Sequence, residues 1–268
     1  MNDSISWWQA IVLGLTQGLT EFIPVSSSAH LNIAHWMMGQ ERELTFDVLL
    51  HIGTLFALAF YFRNDWKELL TNPAQRKLRN LVFLACVPAV IAGVLLRDLE
   101  ESSPLFIDVR FNALMMIVMG AVLYAADFYG RKTRTIEDVK TNDALFIGVS
   151  QALALIPGVS RSGATLTAGL INGFERADAA RFSFLLSLPI TLGAVGFEVF
   201  NAIRHDKFSS LNASIPIILL GVIVSAASGF WAISFLLNYL KTRSVALFVV
   251  WRVVVALAVF ALYPILNR

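Results

Sequence analysis

Two charged side chains stand almost alone in two otherwise uncharged stretches of this sequence. Between Ser4 and Gln40 the only formally charged residue is Glu21, and between Ala144 and Phe174 the only one is Arg161. Gln17 lies four residues before Glu21, so the two share one face of a helix. Both offer oxygen ligands, which suits Mg²⁺ or Ca²⁺, in a site that becomes credible only when phosphate oxygens complete it. Past Pro24 come Ser26, Ser27, Ser28 and His30. One serine is the expected N-cap of a new helix, and Ser27 with His30 three residues on is a minimal activated nucleophile. Around Arg161 runs Pro157-Gly158-Val159-Ser160-Arg161-Ser162-Gly163-Ala164-Thr165. Gly158 and Gly163 let backbone approach a ligand, Ser160, Ser162 and Thr165 supply hydroxyls, and a fresh helix N-terminus supplies free N–H groups. The planar fork of Arg161 can grip two phosphate oxygens at once. The chemistry this set fits is the binding and transfer of phosphate. His35, His51 and His205 lack such surroundings and read as structural or interfacial.

The elements that must position these residues belong to a membrane. Of 268 residues 57% are hydrophobic and 15% charged, whereas a soluble domain carries about 25% charged residues. Charge-free runs such as Asn80 to Leu96, Phe111 to Ala126, Phe182 to Phe197 and Phe208 to Leu240 recur along the chain. One soluble domain could not bury so many, and each approaches the length a bilayer demands of a helix. The single cysteine, Cys86, excludes a disulfide framework. Met1-Asn2-Asp3 lacks the basic start of a signal peptide, so the first apolar stretch is expected to stay in the mature protein. The fold class expected is an all-α, polytopic membrane protein, with residues 1–268 as a single membrane domain.

The chain also repeats itself. Gly14-Leu15-Thr16-Gln17 aligns with Gly148-Val149-Ser150-Gln151, and Ile23-Pro24-Val25-Ser26-Ser27-Ser28 with Ile156-Pro157-Gly158-Val159-Ser160-Arg161-Ser162, one residue inserted. Repeat one covers about 5–130 and repeat two about 143–266. Each opens with a stretch too polar and too Pro-broken to span, Leu15 to Ala34 and Gly148 to Gly173, and broken backbone survives at membrane depth only inside protein or beside a polar cavity. Both are expected to be re-entrant hairpins of two half-helices. Three spans follow each, near 45–63, 79–97 and 109–128, then 180–200, 213–237 and 245–264. Three is odd, so the copies are expected to be inverted, with a polar site where they meet. With loop 63–80 in the cytoplasm, 13 Lys and Arg fall inside and 6 outside, among the latter Arg42, Arg110, Lys207 and Arg268.

The motifs Gln17-x-x-x-Glu21, Pro24-Val25-Ser26-Ser27-x-x-His30 and Pro157-Gly158-x-Ser160-Arg161-Ser162-x-x-Thr165 resemble those of the undecaprenyl-diphosphate phosphatase family, integral membrane enzymes associated with bacitracin resistance. The likeness extends over essentially the whole chain, although position 17 is Gln rather than the Glu of many members. It implies removal of the terminal phosphate from a C55 polyprenyl diphosphate, which recycles the lipid carrier of peptidoglycan synthesis. Ser27, His30, Glu21 and Arg161 would then be catalytic: Ser27 attacks phosphorus with His30 as base, or a water activated by Glu21 or His30 attacks directly. Ser26, Gly158, Ser160, Arg161, Ser162 and Thr165 would bind substrate, and Glu21 with Gln17 would hold Mg²⁺ or Ca²⁺. The partners expected are the polyprenyl diphosphate, the bilayer and a second copy of the chain as a homodimer, with no nucleic acid. The location implied is the bacterial inner membrane, the site facing the periplasm. A lipid-phosphate transporter or flippase is the main alternative, since inverted repeats also serve alternating access. A phosphatidate-type phosphatase would need a second His and an Asp after the Ser-Arg pair.

Overall fold

The computed structural model describes residues 5–40, 42–205 and 213–266; Met1-Asn2-Asp3, Lys207 and Arg268 lie outside them. The described residues form α1 (Trp7–Phe22), α2 (Ser27–Met37), α3 (Leu44–Tyr61), α4 (Arg63–Thr71), α5 (Arg76–Ser102), α6 (Pro104–Ile107), α7 (Val109–Tyr129), α8 (Thr141–Ala152), α9 (Arg161–Ile171), α10 (Arg176–Arg204), α11 (Ile215–Leu240) and α12 (Ala246–Leu266). Six of these helices, α3, α5, α7, α10, α11 and α12, are long and apolar enough to cross a bilayer. The protein is thus an all-α, multi-pass membrane protein. The same order, a helical hairpin followed by three long helices, occurs in each half.

The hairpins are α1–α2 and α8–α9. Their first arms begin at Trp7 and Thr141, earlier than the polar residues alone suggest, because apolar residues extend each arm outward. At 16 and 12 residues these arms are shorter than the roughly 20 residues a span requires. Each arm stops for the same reason. Ile23 and Ile156 precede prolines and adopt extended conformations, with ψ of 137° and 117°, as clash with the following ring requires. The second arm then starts from a serine in left-handed conformation, Ser26 at φ 77° or Ser160 at φ 75°. Each serine hydroxyl accepts a cap bond, from the Ala29 N–H at 3.5 Å and from the Gly163 N–H at 3.1 Å. Loop 63–80 also contains a helix, α4, whose polar composition hid it from a hydropathy reading.

Each hairpin is held by the opposite half. The arm α1 packs along α11, and α8 along α5. The approach is backbone to backbone: a Cβ built on Gly18 would lie 2.4 Å from the Ser225 carbonyl oxygen and 2.8 Å from the Gly229 nitrogen, and one on Gly148 would lie 2.4 Å from the Ala85 carbonyl oxygen. Small residues permit such contact where lipid gives no hydrophobic drive between helices. Charged clamps close the hairpins at their bases. Asp47 accepts from His35 Nε2 at 3.0 Å and Arg42 Nε at 2.9 Å, joining α2 to α3. Arg134 donates to both Asp143 oxygens at 3.1 and 2.5 Å and to the Asn172 carbonyl at 2.8 Å, joining the two arms of the second hairpin.

Because a Cβ on Gly18 would meet the Ser225 and Gly229 backbone as well as the Ser228 hydroxyl, Gly18→Val is expected to cost about 1–3 kcal/mol by overpacking. Gly93, with nothing within 4 Å of its added Cβ, is the control. Thermal unfolding in detergent should show a lowered midpoint for Gly18→Val and none for Gly93→Ala; equal midpoints would remove the close-packing argument.

Candidate active site

Glu21 sits one residue before the end of α1, where the chain breaks at Ile23-Pro24, and its side chain is buried. Its two carboxylate oxygens have separate partners. Oε1 accepts from Arg161 Nη2 at 2.6 Å. Oε2 accepts from the Ser27 hydroxyl at 2.6 Å and from Gln17 Nε2 at 3.1 Å. Ser27 and Arg161 are the first residues of α2 and α9, so one carboxylate joins the starts of both second arms. A helix start carries unpaired N–H groups and a partial positive charge. The Glu21 carboxylate therefore occupies a position suited to an anion.

Arg161 spends its other side on Thr191 of α10, through a hydrogen bond from Nη1 to Oγ1. The hydroxyls flanking Arg161 are engaged within the protein. Ser160 caps α9 and pairs with Ser162 at 3.2 Å. Ser162 donates to the Ile23 carbonyl of the other hairpin at 3.2 Å. Thr165 bonds the Arg161 carbonyl at 2.9 Å and the Ser183 hydroxyl at 2.5 Å. Ser26 repeats the cap arrangement with Ser28 at 3.2 Å. The four thus hold the frame from which Ser27 and Arg161 project. Gly158 has a packing cause: at φ 93° its Cβ would lie 2.4 Å from the Asn112 carbonyl oxygen of α7, so the turn requires glycine whether or not a ligand approaches.

The Ser27–His30 pair expected from spacing is not formed. The His30 Nδ1–H donates to the Ser26 carbonyl at 2.8 Å, and Trp251 Nε1–H donates to His30 Nε2 at 2.9 Å. A carbonyl only accepts and an indole N–H only donates, which fixes the tautomer and occupies both ring nitrogens. Ser27, as first residue of α2, instead turns its hydroxyl to Glu21. The histidine near the carboxylate is His51, read from sequence as structural. Its Nδ1–H donates to the Asp47 carbonyl at 2.8 Å, leaving Nε2 3.7 Å from Glu21 Oε2. A histidine inside the span α3 marks a functional position by default, and that signal was present in the sequence.

Gln17 is fully buried, and while its amide nitrogen is used, its Oε1 has no partner. An orphaned buried carbonyl oxygen beside a carboxylate fits the oxygen chemistry of Mg²⁺ or Ca²⁺. Among the described residues no group of three His, Cys, Asp or Glu side chains is arranged to hold a metal, so any such site needs oxygens beyond those of Glu21 and Gln17.

These features define a class: a multi-pass helical membrane protein with a buried anion centre assembled from two broken hairpins. Residues 10–258 match the family model described as bacitracin resistance protein BacA, and the chain belongs to that family. It is 44% identical to the undecaprenyl-diphosphatase of Gemmatimonas aurantiaca, over 95% of this chain and 97% of that protein. The undecaprenyl-diphosphatase of Desulforudis audaxviator is also 44% identical, over 95% and 97%, and that of Thermodesulfovibrio yellowstonii 40%, over 97% and 98%.

Removing Arg161 alone strands a buried carboxylate, so Arg161→Gln is expected to destabilise the fold by about 3 kcal/mol. The pair Glu21→Gln with Arg161→Gln should recover most of that loss while activity stays absent. A double-mutant cycle on unfolding in detergent measures it, and a coupling below about 0.5 kcal/mol would mean that the ion pair does not organise the hairpins.

Proposed function

We propose that this protein hydrolyses undecaprenyl diphosphate to undecaprenyl phosphate and inorganic phosphate, returning the carrier lipid to peptidoglycan synthesis. The observation that carries the reading is the Ser27–Glu21–Arg161 junction between the hairpins, in a chain 44% identical to proteins named undecaprenyl-diphosphatase. A diphosphate entering between the two helix starts competes with Glu21 for the same donors. Arg161 transfers its fork from the carboxylate to oxygens of the terminal phosphate, where charge grows during transfer. This frees Glu21 Oε1. Glu21 and Gln17 Oε1 are the residues that would hold a divalent cation, which when bound would neutralise charge on the diphosphate.

The hydroxyl of Ser27 is the nucleophile in this reading. Its 2.6 Å bond to Glu21 Oε2 aims the proton at a carboxylate that can accept it. The Ser27 Oγ–P bond forms as the bridging P–O bond breaks, and polyprenyl phosphate leaves with the bond's electron pair. The carboxylic acid formed at Glu21 passes its proton to the departing polyprenyl phosphate. Water then attacks the phosphoserine and gives a proton to the Glu21 carboxylate, which returns it to Ser27 Oγ as the Oγ–P bond breaks and inorganic phosphate departs. His51 orients Glu21 from behind, and His30 braces the α2 start through the Ser26 carbonyl. Direct attack by water held on Glu21 is the competing route.

The prenyl chain explains why such chemistry lies among membrane helices: the tail stays in hydrocarbon while the diphosphate reaches the polar centre. The halves are inverted in this reading, as three spans after each hairpin require, and the cross-packing of each first arm on the opposite half supports it. The bias of Lys and Arg to loops 63–80 and 131–140 supports an inner-membrane protein with those loops in the cytoplasm; the opening of the site to the periplasm rests on the family resemblance alone.

Purified protein in detergent should release phosphate from undecaprenyl diphosphate, and a chelator should suppress the release. Ser27→Ala should lower turnover by about a thousandfold or more, and substrate labelled in the terminal phosphate should trap label on Ser27. Substantial turnover by Ser27→Ala would exclude the covalent route. His51→Ala, which leaves the chemical groups in place, should cost about 10–100-fold.

A further inference from the structure

Arg252 lies within α12 and is fully buried, one of the largest side chains with no exposed surface. Its guanidinium makes four hydrogen bonds, all to backbone carbonyls. Nε donates to Met116 at 3.0 Å, Nη1 to Pro24 at 3.2 Å, and Nη2 to Gly158 at 2.6 Å and Val159 at 2.9 Å. Among the described residues no carboxylate forms an ion pair with it. An uncompensated charge at this depth is expensive. A neutral donor would satisfy a turn carbonyl at lower cost, so the cation itself calls for a reason.

The identity of the carbonyls supplies it. Pro24 is in the turn of the first hairpin, two residues before the cap Ser26 and three before Ser27. Gly158 and Val159 are in the turn of the second, directly before the cap Ser160 and then Arg161. Met116 belongs to α7. One planar group therefore ties both turns to each other and to a span, just behind the two helix starts that meet at Glu21. The second arm is tight against it: a Cβ on Gly163 would stand 3.1 Å from Arg252 Nη1.

From this geometry we infer that Arg252 is a positioning residue for phosphoryl transfer. It fixes the separation of Ser27 from Arg161 and places an unneutralised positive charge behind the anion site. The inference rests on the proposed hydrolysis, but its two parts separate by substitution. Lys keeps the charge and cannot span three carbonyls on two turns in one plane. Gln keeps some donors and loses the charge.

The experiment measures kcat and KM on undecaprenyl diphosphate and, independently of turnover, the affinity for inorganic pyrophosphate by calorimetry on the full-length protein. Arg252→Lys should bind pyrophosphate within about threefold of wild type but lose about 100-fold in kcat, since a misplacement near 1 Å has that effect. Arg252→Gln should lose both, with pyrophosphate bound about tenfold more weakly, the size of one missing charge interaction. Wild-type kcat in Arg252→Lys overturns the spacing role, and wild-type pyrophosphate affinity in Arg252→Gln overturns the charge role. Gly163→Ala keeps Arg252 but crowds its Nη1 and the Ser160 side chain, and serves where the other variants do not fold. With Ser160→Ala as the control for the cap, kcat should fall in Gly163→Ala well beyond its fall in that control with KM nearly unchanged, and a kcat no lower than the control's overturns the inference. Failure of the wild type to release phosphate counts against the proposed function instead, and the pyrophosphate affinities still test the charge.

Discussion

The ion pair between Glu21 and Arg161 is the constraint that the rest of the structure serves. Each charge alone would cost about 2.5–3.5 kcal/mol at membrane depth even on permissive scales. Joined at 2.6 Å, they neutralise each other, but only if two hairpins from different halves of the chain end at one point. That demand explains the broken helices, since an unbroken one would carry each residue past the other. It also explains the glycines at Gly18 and Gly148, which bring the first arms against α11 and α5 closely enough for the turns to meet. A pair of apolar side chains would hold such a junction at least as well. Stability alone does not account for the charges, and their presence at the start of two helices points to an anion that replaces the carboxylate.

Preorganisation distinguishes this centre from a simple salt bridge. Ser26 and Ser160 hold left-handed backbone that costs a non-glycine residue about 1–3 kcal/mol. Each recovers part of that cost through its cap bond. Ser162 reaches across to the Ile23 carbonyl, Thr165 to Ser183, and Arg252 to both turns. The polar groups around Arg161 are therefore spent on rigidity. The groups left over for the proposed reaction are few: a hydroxyl, a carboxylate, a guanidinium and the helix-start N–H groups. A frame this constrained pays its orientation cost at folding, not at each turnover.

Much of this was legible in the sequence because it depends on length and on chain-breaking residues. The six long helices follow from charge-free runs, and both hairpin turns from Ile-Pro followed by serine. The isolation of Glu21 and Arg161 identified the pair, because charge in hydrocarbon is rare for a physical reason. Partnerships that depend on side-chain direction were not legible. Spacing put Ser27 and His30 on one face, but a residue at a helix start is aimed by the turn before it, and Ser27 turns to Glu21. The place of His51 within a span marks it as functional, but its partner Glu21 lies in another element, thirty residues earlier in the chain, and spacing does not reveal it. Arg252 gave no motif at all: its partners are backbone carbonyls, which every sequence supplies equally. Helix α4 escaped because its amphipathic face is polar on balance.

The two hairpins also show how a repeat becomes asymmetric. Ser26 and Ser160 share φ, cap role and a hydroxyl partner two residues on, at 3.2 Å in both. The next residue in each, Ser27 or Arg161, meets the same carboxylate. Gln17 corresponds to Gln151, yet no carboxylate follows it in the second half, where Ala152-Leu153-Ala154-Leu155 lead to Ile156. The Gln151 amide is buried with neither of its polar atoms bonded, as expected where its carboxylate neighbour has been lost. Two equal cradles would present two anion sites of equal kind and no attacking group. With arginine at one helix start, serine at the other and a single glutamate between them, the same backbone would, in the proposed reaction, hold a phosphate on one side and a nucleophile on the other. The two turns of the centre are alike because an Ile-Pro step followed by a capping serine folds alike in both hairpins; what they present to Glu21 differs because one next residue is serine and the other arginine.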